Sequence, residues 1–259
     1  CVQCNQHIKF SELLQLAKGF GANYLATGHY IKSKLVGNEY GLFVAKDNEK
    51  DQSYFLFQTK KRDLNFLRFP LGMIDKSETR RLAKKYGIGI EDKRESQDIC
   101  FIPDGNYRKF LSKYEGFGIE GDIIDAKGNI IGKHKGIENF TIGQRKKLNI
   151  SLGSPMYVIK ILKSENKIVV GEKEKLEENK ININSFNWIG PAVNKKNGTI
   201  NNLKIKVRAR QEPITGNLKI KNKDLAEIKL DRPTTGVAKG QGCVFYSKDN
   251  QLLGGGWIT

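Results

Sequence analysis

Two cysteines at the start of the sequence, Cys1 and Cys4, form the pattern Cys-Val-Gln-Cys. Three kinds of chemistry use such a pair: half of a metal site, a thiol–disulfide redox couple, or a nucleophilic thiol with a neighbouring group. Zinc and iron–sulfur sites usually take four ligands, and the rest of the chain offers two isolated cysteines, Cys100 and Cys243, and three scattered histidines. The sequence therefore predicts no metal site, and the redox and nucleophile interpretations both stay open.

A further cysteine, Cys100, lies in the segment Glu-Ser-Gln-Asp-Ile-Cys-Phe-Ile, between polar residues and an apolar pair. An isolated cysteine in such a setting is commonly a small buried hydrophobe. Two thiols that are distant in sequence can also meet in the fold and exchange through a disulfide. That chemistry needs the thiolate form, which nearby cations such as Lys93 and Arg94 favour. Cys100 is therefore a second candidate for thiol chemistry.

The charge of the chain indicates an anionic partner. Lysine and arginine total 45 against 28 aspartate and glutamate residues, which gives a formal net charge of +17 and a pI near 9.6. Such an excess attracts polyanions and speeds their association. A lysine bias that reflects an AT-rich genome is the alternative explanation. Because the lysines are spread along the chain rather than gathered in a tail, we expect an extended nucleic-acid-binding face.

Short motifs supply residues for such a face. Lys50 and Gln52, in Lys-Asp-Gln-Ser-Tyr-Phe-Leu, can hold a phosphate or a base edge, while Asp51 is placed to cap a helix predicted over residues 52–58. The Arg-Ala-Arg sequence at 208–210 would project both guanidinium groups from one face of a predicted strand, because side chains alternate along strands. With Gln241 in the same region, these arginines predict a patch that binds a nucleic-acid backbone.

The first hundred residues have the pattern of an α/β unit. Apolar spacing predicts a helix over residues 8–20 that ends at Gly21, and a short strand follows over residues 23–26. Gly28 and His29 come directly after that strand. In α/β sheets ligands bind beyond the carboxyl ends of the strands, so these two residues lie where a site is expected.

Two further elements are predicted in this region. Residues 42–45 form a short apolar run of strand length. Residues 77–86 are predicted as a helix that is capped by Ser77 and ended by Gly87.

From about residue 104 the apolar residues come in short alternating runs between turn-forming residues, which is typical of strands. Strands are predicted over residues 122–124, 129–131, 156–162 and 167–170. The polar stretch 172–182 is predicted as a linker. In residues 183–259, Leu203, Ile205 and Val207 alternate with basic residues, and short strands of this kind predict a small barrel.

Composition also bears on the compartment. No apolar run approaches the ~20 residues that a membrane-spanning helix needs. Four cysteines are too few for a disulfide scaffold in 259 residues, and no secretory signal is present. We therefore predict a soluble protein of a reducing, cytosolic compartment.

Several blocks of residues occur in a characteristic order along almost the whole chain. They are CVQCNQHIKF, ATGHY, KDQSYFL, FPLG, ESQDICFI, GKHKG, FTIGQRKKL and KGQGCVFY followed by LLGGG. Together they resemble the tRNA-specific 2-thiouridylases, the MnmA family (TrmU in mitochondria). The resemblance implies an α/β plus all-β fold in three domains. These are the C-terminal part of an adenine-nucleotide α-hydrolase-like (PP-loop ATPase) domain over residues 1–103, a small central domain over 104–178, and a tRNA-binding β-barrel over 179–259.

The resemblance also implies an activity, the ATP-dependent synthesis of 2-thiouridine at the wobble position of tRNA. In this family ATP, with magnesium, adenylates the C2 oxygen of the uracil, and sulfur arrives as a persulfide. The match assigns the persulfide to Cys100 and the role of nucleophile to Cys4, and it implies a Cys4–Cys100 disulfide. The implied partners are tRNA and a persulfide sulfur-donor protein. The implied location is the cytoplasm, or the mitochondrion in a eukaryote.

Binding residues follow from the same match. Gly28 is expected to contact ATP. The expected tRNA contacts are Cys1, His29, Lys50, Asp51, Gln52, Arg208, Ala209 and Gln241. Cys1 stands where some relatives carry an aspartate that is suspected of acid–base chemistry, so its chemical role is left open.

One departure from the family pattern concerns phosphate binding. The family carries a loop of the form SGGVDSS, and no Ser-Gly-Gly occurs in this sequence. Such a loop supplies the donors that hold phosphate. We therefore expect a truncated member that binds ATP poorly, is inactive alone, and has an unpaired edge on its first sheet.

Two other interpretations stay open at this point. A non-catalytic RNA-binding chain would use the basic barrel alone. A thiol–disulfide oxidoreductase would use the Cys1–Cys4 pair and would form a Cys1–Cys4 disulfide, whereas the thiouridylase interpretation couples Cys4 to Cys100.

Overall fold

The computed structural model describes residues 1–89, 100, 102, 106–114, 117–148, 150, 154–192 and 198–259. The chain divides into two compact units. The first unit combines Cys1–Arg94, Asn179–Arg232 and Lys239–Thr259, and the second combines Glu95–Glu178 and Pro233–Ala238. The predicted combination of an α/β portion with a β-barrel is confirmed.

The first unit begins with a helix that carries the Cys-Val-Gln-Cys pattern at its start. A π-helical segment spans Cys4–Glu12 and continues into helix α1 (Leu13–Gly19). The helix therefore begins earlier than the predicted residue 8. The reason is that the buried side chain of its first turn belongs to Asn5, which is 4% exposed, and apolar spacing cannot detect a buried asparagine.

Short strands and 3₁₀ helices follow in the first unit. In chain order they are β1 (Leu25–Ala26), β2 (Lys32–Val36), β3 (Glu39–Phe43), 3₁₀ helices over Ser53–Leu56 and Lys61–Phe66, β4 (Leu67–Arg68), a 3₁₀ helix over Pro70–Met73, and helix α2 (Lys76–Lys85). Both α1 and α2 end as predicted at a glycine with a left-handed backbone, Gly21 with φ +73° and Gly87 with φ +61°. At each end two backbone N–H groups bond to carbonyls of the last turn, which is the Schellman arrangement.

Three predictions for this region are wrong in detail. Helix α2 is capped at Asp75 rather than Ser77. The predicted helix over residues 52–58 is a 3₁₀ helix over Ser53–Leu56, and the predicted strand over 42–45 is β3, which ends at Phe43. Long-range contacts determine these ends, and local sequence signals are weakest at element boundaries.

Strands β1 and β4 are parallel, with Leu25 opposite Leu67. The residues that follow them, Gly28 and His29 after β1 and Phe69 after β4, therefore lie at the same edge. The rings of His29 and Phe69 meet there, with 6.3 Å between their centroids. The predicted place of Gly28 and His29 at a carboxyl edge is confirmed. Among the described residues, β1 and β4 form a sheet of two strands.

The second unit contains helix α3 (Tyr107–Leu111) and a four-stranded sheet in the order β6-β5-β8-β7. Its strands are β5 (Glu120–Ile124), β6 (Ile130–Lys135), β7 (Tyr157–Leu162) and β8 (Lys167–Gly171), with 3₁₀ helices over Ile137–Asn139, Lys163–Glu165 and Lys173–Leu176. Strands β5 and β8 pair in parallel, and the other two pairs are antiparallel. The four strands predicted here are confirmed, with small shifts at their ends. Ile123, Val158 and Ile168 lie at the centre of the core.

A closed six-stranded barrel completes the first unit. Its strands are β9 (Glu178–Trp188), β10 (Thr199–Lys206), β11 (Ile214–Ile220), β12 (Ala226–Thr234), β13 (Gly242–Tyr246) and β14 (Gln251–Ile258). They follow the ring order β13-β10-β11-β12-β9-β14, and pairing of β13 with β14 closes the ring. The hairpin of β2 and β3 extends this sheet, because Leu42 of β3 pairs with Leu252 of β14.

The barrel confirms one sequence pattern and corrects another. Leu203 and Ile205 are buried on β10, as their alternation with lysines predicts. The linker predicted over residues 172–182 is wrong in its second half, because β9 begins at Glu178. The first residues of β9 are polar and exposed, and Ile181 and Ile183 are its buried residues. The start of the strand therefore has the composition of a loop, which is why it was predicted as a linker.

A prediction follows from the tight packing at the start of β13. A methyl group added at Gly242 would lie 2.8 Å from Cε1 of Phe57 and 3.3 Å from the hydroxyl oxygen of Tyr54. Gly242→Ala is therefore expected to lower the free energy of unfolding by about 1–3 kcal/mol, measured by urea denaturation. Gly19→Ala is the control and should be neutral or slightly stabilising, because no atom of the described residues beyond its chain neighbours and its own helix backbone lies within 4 Å of the added methyl group. Equal losses in both variants would contradict the prediction.

Candidate functional site

A pocket of about 420 Å³ opens on the first unit, lined by two groups of residues. The first wall comprises Cys1, Val2, Gln3, Tyr54 and Phe55, from the start of the chain and the 3₁₀ helix Ser53–Leu56. The second wall comprises Arg208, Ala209, Gln241, Gly242 and Trp257, from the barrel. Four predicted tRNA-binding residues from three separate parts of the sequence thus share one pocket: Cys1, Arg208, Ala209 and Gln241.

Tyr54 joins the two walls. Its hydroxyl donates to the carbonyl of Gly242 at 2.8 Å and lies 3.3 Å from the carbonyl of Val207. Its ring is buried and contacts Phe55 edge-on, with 5.5 Å between centroids. Burial is the main cause that raises the pKa of Tyr54, so the phenol stays protonated and remains a donor.

The second wall combines a cation with an unusual acceptor. The Gln241 Oε1 atom is buried and has no hydrogen-bond partner among the described residues. Arg208 is exposed, and Ala209 packs partly against the apolar core. An unpaired buried amide oxygen costs free energy, and because this atom has almost no exposed surface, a ligand in the pocket would reach it only after the amide turned.

The predicted setting of the two arginines is wrong. Residues 207–210 form a bend and a turn after β10 rather than a strand. The side chain of Gln211 holds this turn, because its Oε1 accepts from the backbone N–H of Val207 at 3.2 Å. Arg208 therefore lines the pocket from a turn, and strand alternation does not place Arg210 beside it.

The four cysteines are unpaired and differ in exposure. Cys1 is exposed and lines the pocket, and Cys4 is partly buried at the start of the π-helical segment. Cys100 is exposed in a turn and belongs to the second unit. Cys243 is fully buried in β13, where desolvation raises the pKa of its thiol, so it is an inert core residue. Exposure thus leaves Cys1, Cys4 and Cys100 open to thiol chemistry.

His29 is buried in a polar setting. Its Nδ1 lies 2.9 Å from Thr27 Oγ1 and its Nε2 lies 3.1 Å from Asn5 Oδ1. Asn5 in turn donates through Nδ2 to the carbonyl of Phe55 at 3.3 Å. The predicted tRNA contact of His29 remains a prediction, and these bonds use both ring nitrogens inside the protein.

The Lys50–Gln52 segment also makes internal hydrogen bonds. The Asp51 carboxylate accepts from the backbone N–H of Ala45 at 2.9 Å and from the Ser53 hydroxyl at 2.6 Å. The Gln52 side-chain oxygen accepts from the backbone N–H of Tyr30 at 2.9 Å. These side chains fix the loop before the 3₁₀ helix. The predicted cap at Asp51 is wrong, because the N-cap residue is Gln52 and it makes no side-chain capping bond. Their tRNA contacts, with that of Lys50, remain predictions.

Gly28 is exposed at the carboxyl edge of β1 and β4. Among the described residues, a Cβ atom there would contact Cδ1 of Leu71, at 3.7 Å, and no other atom within 4 Å. The surface around the backbone of Gly28 therefore has room for a ligand.

Several residues of the site were not found by sequence reasoning. Tyr54, Phe55 and Trp257 line the pocket, and Asn5 and Thr27 hold His29. Tyr54 and Phe55 lie inside the block KDQSYFL and Trp257 directly follows the block LLGGG, so their position in or beside those blocks was an available signal. The pairing of Asn5 with His29 has no local signal.

Within the described part of the chain, no helix combines the length and apolar character that crossing a membrane requires. The same residues contain no group of three or more His, Cys, Asp and Glu side chains arranged as metal ligands would be.

A pH dependence of stability follows from the setting of His29. Burial, and secondarily the Lys9 ammonium, lowers the pKa of His29 from 6.5 to about 4. Between pH 6.5 and about pH 4, His29 is protonated in the unfolded chain and neutral in the folded chain. Stability contributed by neutral His29 is therefore complete above pH 6.5 and falls by about 3 kcal/mol as the pH drops to about 4.

Urea denaturation between pH 7 and pH 4 tests this expectation. The difference between the wild type and His29→Gln isolates the histidine from the carboxylates that titrate in the same range. The variant should lose less stability on acidification than the wild type. Parallel pH profiles in the two proteins would contradict the assignment.

Comparison with protein families gives three matches in order along the chain. The model described as tRNA methyl transferase HUP domain matches residues 1–104, the tRNA methyl transferase PRC-barrel domain matches residues 108–172, and the aminomethyltransferase beta-barrel domain matches residues 178–258. Together they account for most of the chain.

Curated relatives named tRNA-specific 2-thiouridylase MnmA are similar over the full length of this chain. Those of Maricaulis maris, Paracoccus denitrificans and Rickettsia felis are 42%, 41% and 42% identical to it. The alignments cover 100% of this chain and 64%, 67% and 70% of those proteins, so the chain spans about two thirds of their length. With three successive family models and this level of identity throughout, the chain belongs to the MnmA family of tRNA-specific 2-thiouridylases.

Proposed function

We propose that the chain acts in 2-thiouridine synthesis, the ATP-dependent transfer of persulfide sulfur to C2 of the wobble uridine of tRNA. The observation that carries this proposal is the pocket of the first unit. It gathers Cys1, Arg208, Ala209 and Gln241, which the family resemblance had separately assigned to tRNA. The relatives are named tRNA-specific 2-thiouridylase, which supports the same activity.

The chemistry of the pocket suits an unstacked nucleobase. Phe55 and Trp257 offer aromatic surface for stacking, and base–aromatic stacking is a common means of holding single-stranded RNA. Gln241 lines the pocket with a side-chain amide, a group that can pair with a base edge once it is turned toward the ligand. Arg208 offers a cation for a backbone phosphate. The net charge of +17 would draw the polyanion to this surface.

The proposed sulfur transfer uses two thiols. The terminal sulfur of a Cys100 persulfide attacks C2 of the adenylated uracil, and AMP leaves with the former C2 oxygen. The Cys4 thiolate then attacks the Cys100 sulfur, which breaks the sulfur–sulfur bond, leaves sulfur on C2 and forms a Cys4–Cys100 disulfide. An external dithiol would reduce this disulfide, and a persulfide donor protein would reload Cys100.

ATP is proposed as the co-substrate that activates C2, and it would bring Mg²⁺ with its phosphates. Gly28 supports this proposal, since it lies exposed at the carboxyl edge of two parallel strands, where nucleotides bind in α/β folds.

We also infer three domains, over residues 1–103, 104–178 and 179–259. Matches to family models over 1–104, 108–172 and 178–258 support these limits. The small number of cysteines and the bacterial relatives support action in the cytoplasm. The alternatives, an RNA-binding chain without catalysis and a thiol–disulfide oxidoreductase, are not favoured by the names of the relatives.

Replacement of Cys100 tests the sulfur transfer. Cys100→Ser, introduced into the chromosomal gene, is expected to reduce 2-thiouridine in tRNA to background, because the persulfide carrier is lost. Mass spectrometry of digested tRNA measures the product. The purified variant should bind tRNA within about twofold of the wild type. Cys243→Ala, at the buried thiol of β13, is the matched control and should retain 2-thiouridine. Retained product in Cys100→Ser would refute the assignment.

Replacement of Arg208 tests the RNA-binding surface. Arg208→Ala is expected to weaken tRNA binding and to reduce the salt slope of log K by ~1, the loss of one phosphate contact. Fluorescence titrations at several salt concentrations measure both quantities. Lys223→Ala is the control, because Lys223 lies in the turn between β11 and β12, at the opposite end of the barrel from the turn after β10. An unchanged slope in Arg208→Ala would exclude a phosphate contact there.

A further inference from the structure

A continuous chain of polar groups connects three segments beside the pocket. It runs from Thr27 through His29 and Asn5 to the carbonyl of Phe55, with successive distances of 2.9, 3.1 and 3.3 Å. His29 and Asn5 are 8% and 4% exposed. A buried polar network in which each member has a partner favours one arrangement of the segments that it joins.

The partners of the two ring nitrogens bear on which of them carries the proton. Asn5 donates through Nδ2 to a carbonyl, so its Oδ1 faces His29 and must accept. In the tautomer that donates to Asn5, His29 carries its proton on Nε2 and Nδ1 accepts from the Thr27 hydroxyl. The Lys9 ammonium, which can only donate, meets the same Nε2 and favours the other tautomer. The charged group that faces the ring is Lys9, whose Nζ lies 3.4 Å from Nε2. That cation opposes a second proton on the ring.

Aromatic packing completes the surroundings of the imidazole. The rings of Phe10 and Phe69 approach it with centroid distances of 5.8 and 6.3 Å. Both phenylalanines are buried. The imidazole is therefore held by apolar contacts as well as by two hydrogen bonds, and it has little freedom to turn toward a ligand.

Each segment that the chain of bonds joins carries a residue of the site. Asn5 follows Cys4 at the start of the helix, Thr27 precedes Gly28 after β1, and Phe55 lines the pocket. Loss of the His29–Asn5 bond would leave the buried Oδ1 of Asn5 without this partner. The start of the helix would then shift or loosen.

We propose that His29 is a positioning residue, which holds Asn5 and the helix start that bears Cys4 in register with the Phe55 wall of the pocket. The consequence for sulfur transfer rests on the proposed function, but the positioning itself does not. This role differs from the direct tRNA contact predicted for His29, because both ring nitrogens are used inside the protein.

Two substitutions of His29 separate the roles of its nitrogens. The side-chain amide of glutamine reaches the position of Nε2 and can donate to Asn5, whereas that of asparagine reaches only the position of Nδ1.

Alkylation of Cys4 by iodoacetamide, resolved from the other cysteines by peptide mass spectrometry, reports the order of the helix start. His29→Asn should raise the Cys4 alkylation rate at least about fivefold, and His29→Gln should stay within about twofold of the wild type. Affinity for tRNA should stay within about twofold in both variants.

Other outcomes would overturn the proposal. Weakened tRNA binding with unchanged Cys4 alkylation in both variants would make His29 a direct RNA contact. Equal alkylation changes in both variants, or none in either, would show that the bond to Asn5 is not what positions Cys4. If His29→Asn does not fold, Asn5→Ala replaces it and should raise Cys4 alkylation in the same way.

The readouts also separate this proposal from the proposed function. Alkylation of Cys4 and tRNA affinity need no sulfur transfer, so they test positioning whether or not the chain takes part in thiolation. Retained 2-thiouridine in Cys100→Ser would refute the sulfur relay and leave the role of His29 standing. Introduced into the chromosomal gene, His29→Asn should lower 2-thiouridine and His29→Gln should restore it.

Discussion

The site depends on one seam, where the segment around the 3₁₀ helix Ser53–Leu56 is locked onto the outside of the barrel. The Asn187 amide donates to the carbonyls of Phe57 and Thr59 at 2.7 and 2.9 Å, and the Tyr54 hydroxyl donates to Gly242 at 2.8 Å. The carbonyls of an irregular segment are thus paired with a barrel strand, as buried backbone groups must be. Because both walls of the pocket are anchored in this seam, its register determines which side chains face each other.

The seam is also an apolar core. Phe57 is fully buried, and its ring meets Trp257 of β14 edge-on with 5.3 Å between centroids. Every residue of β13 is buried, because the inner face of that strand packs inside the barrel and the outer face packs under the seam. Glycine at position 242 allows this close packing, because a side chain there would overlap the ring of Phe57.

Sequence reasoning predicted the elements whose signals are local. The ends of helices α1 and α2 at Gly21 and Gly87 follow from the left-handed conformation of glycine, and strand β10 follows from the alternation of Leu203 and Ile205 with lysines. Elements determined by distant partners were missed or displaced. The first helix turn contains a buried asparagine that only His29 explains, and the bend that carries Arg208 follows from a glutamine side chain rather than from strand periodicity.

The family resemblance predicted which residues belong to the candidate site, and the structure shows how they are arranged. Cys1, Arg208, Ala209 and Gln241 share a pocket, as a common role predicts. The buried unpaired oxygen of Gln241 could not be predicted, because it depends on what surrounds the amide rather than on its sequence neighbours. The internal hydrogen bonds of Asp51 and Gln52 could not be predicted either. Their partners are the backbone N–H groups of Ala45 and Tyr30, and the sequence does not mark which backbone groups a side chain will meet.

The seam has a consequence for biosynthesis, because the segments that it joins are made at very different times. Phe57 is synthesised long before its partner Asn187, 130 positions later, and Ser53 precedes Tyr246 by 193. Contacts between such distant segments are slow to form, since a long loop must close first. During synthesis on the ribosome, the aromatic residues around the 3₁₀ helix Ser53–Leu56 would stay exposed until strands β9 and β13 have been made. This interval is when the chain is most open to misassembly and most dependent on chaperones.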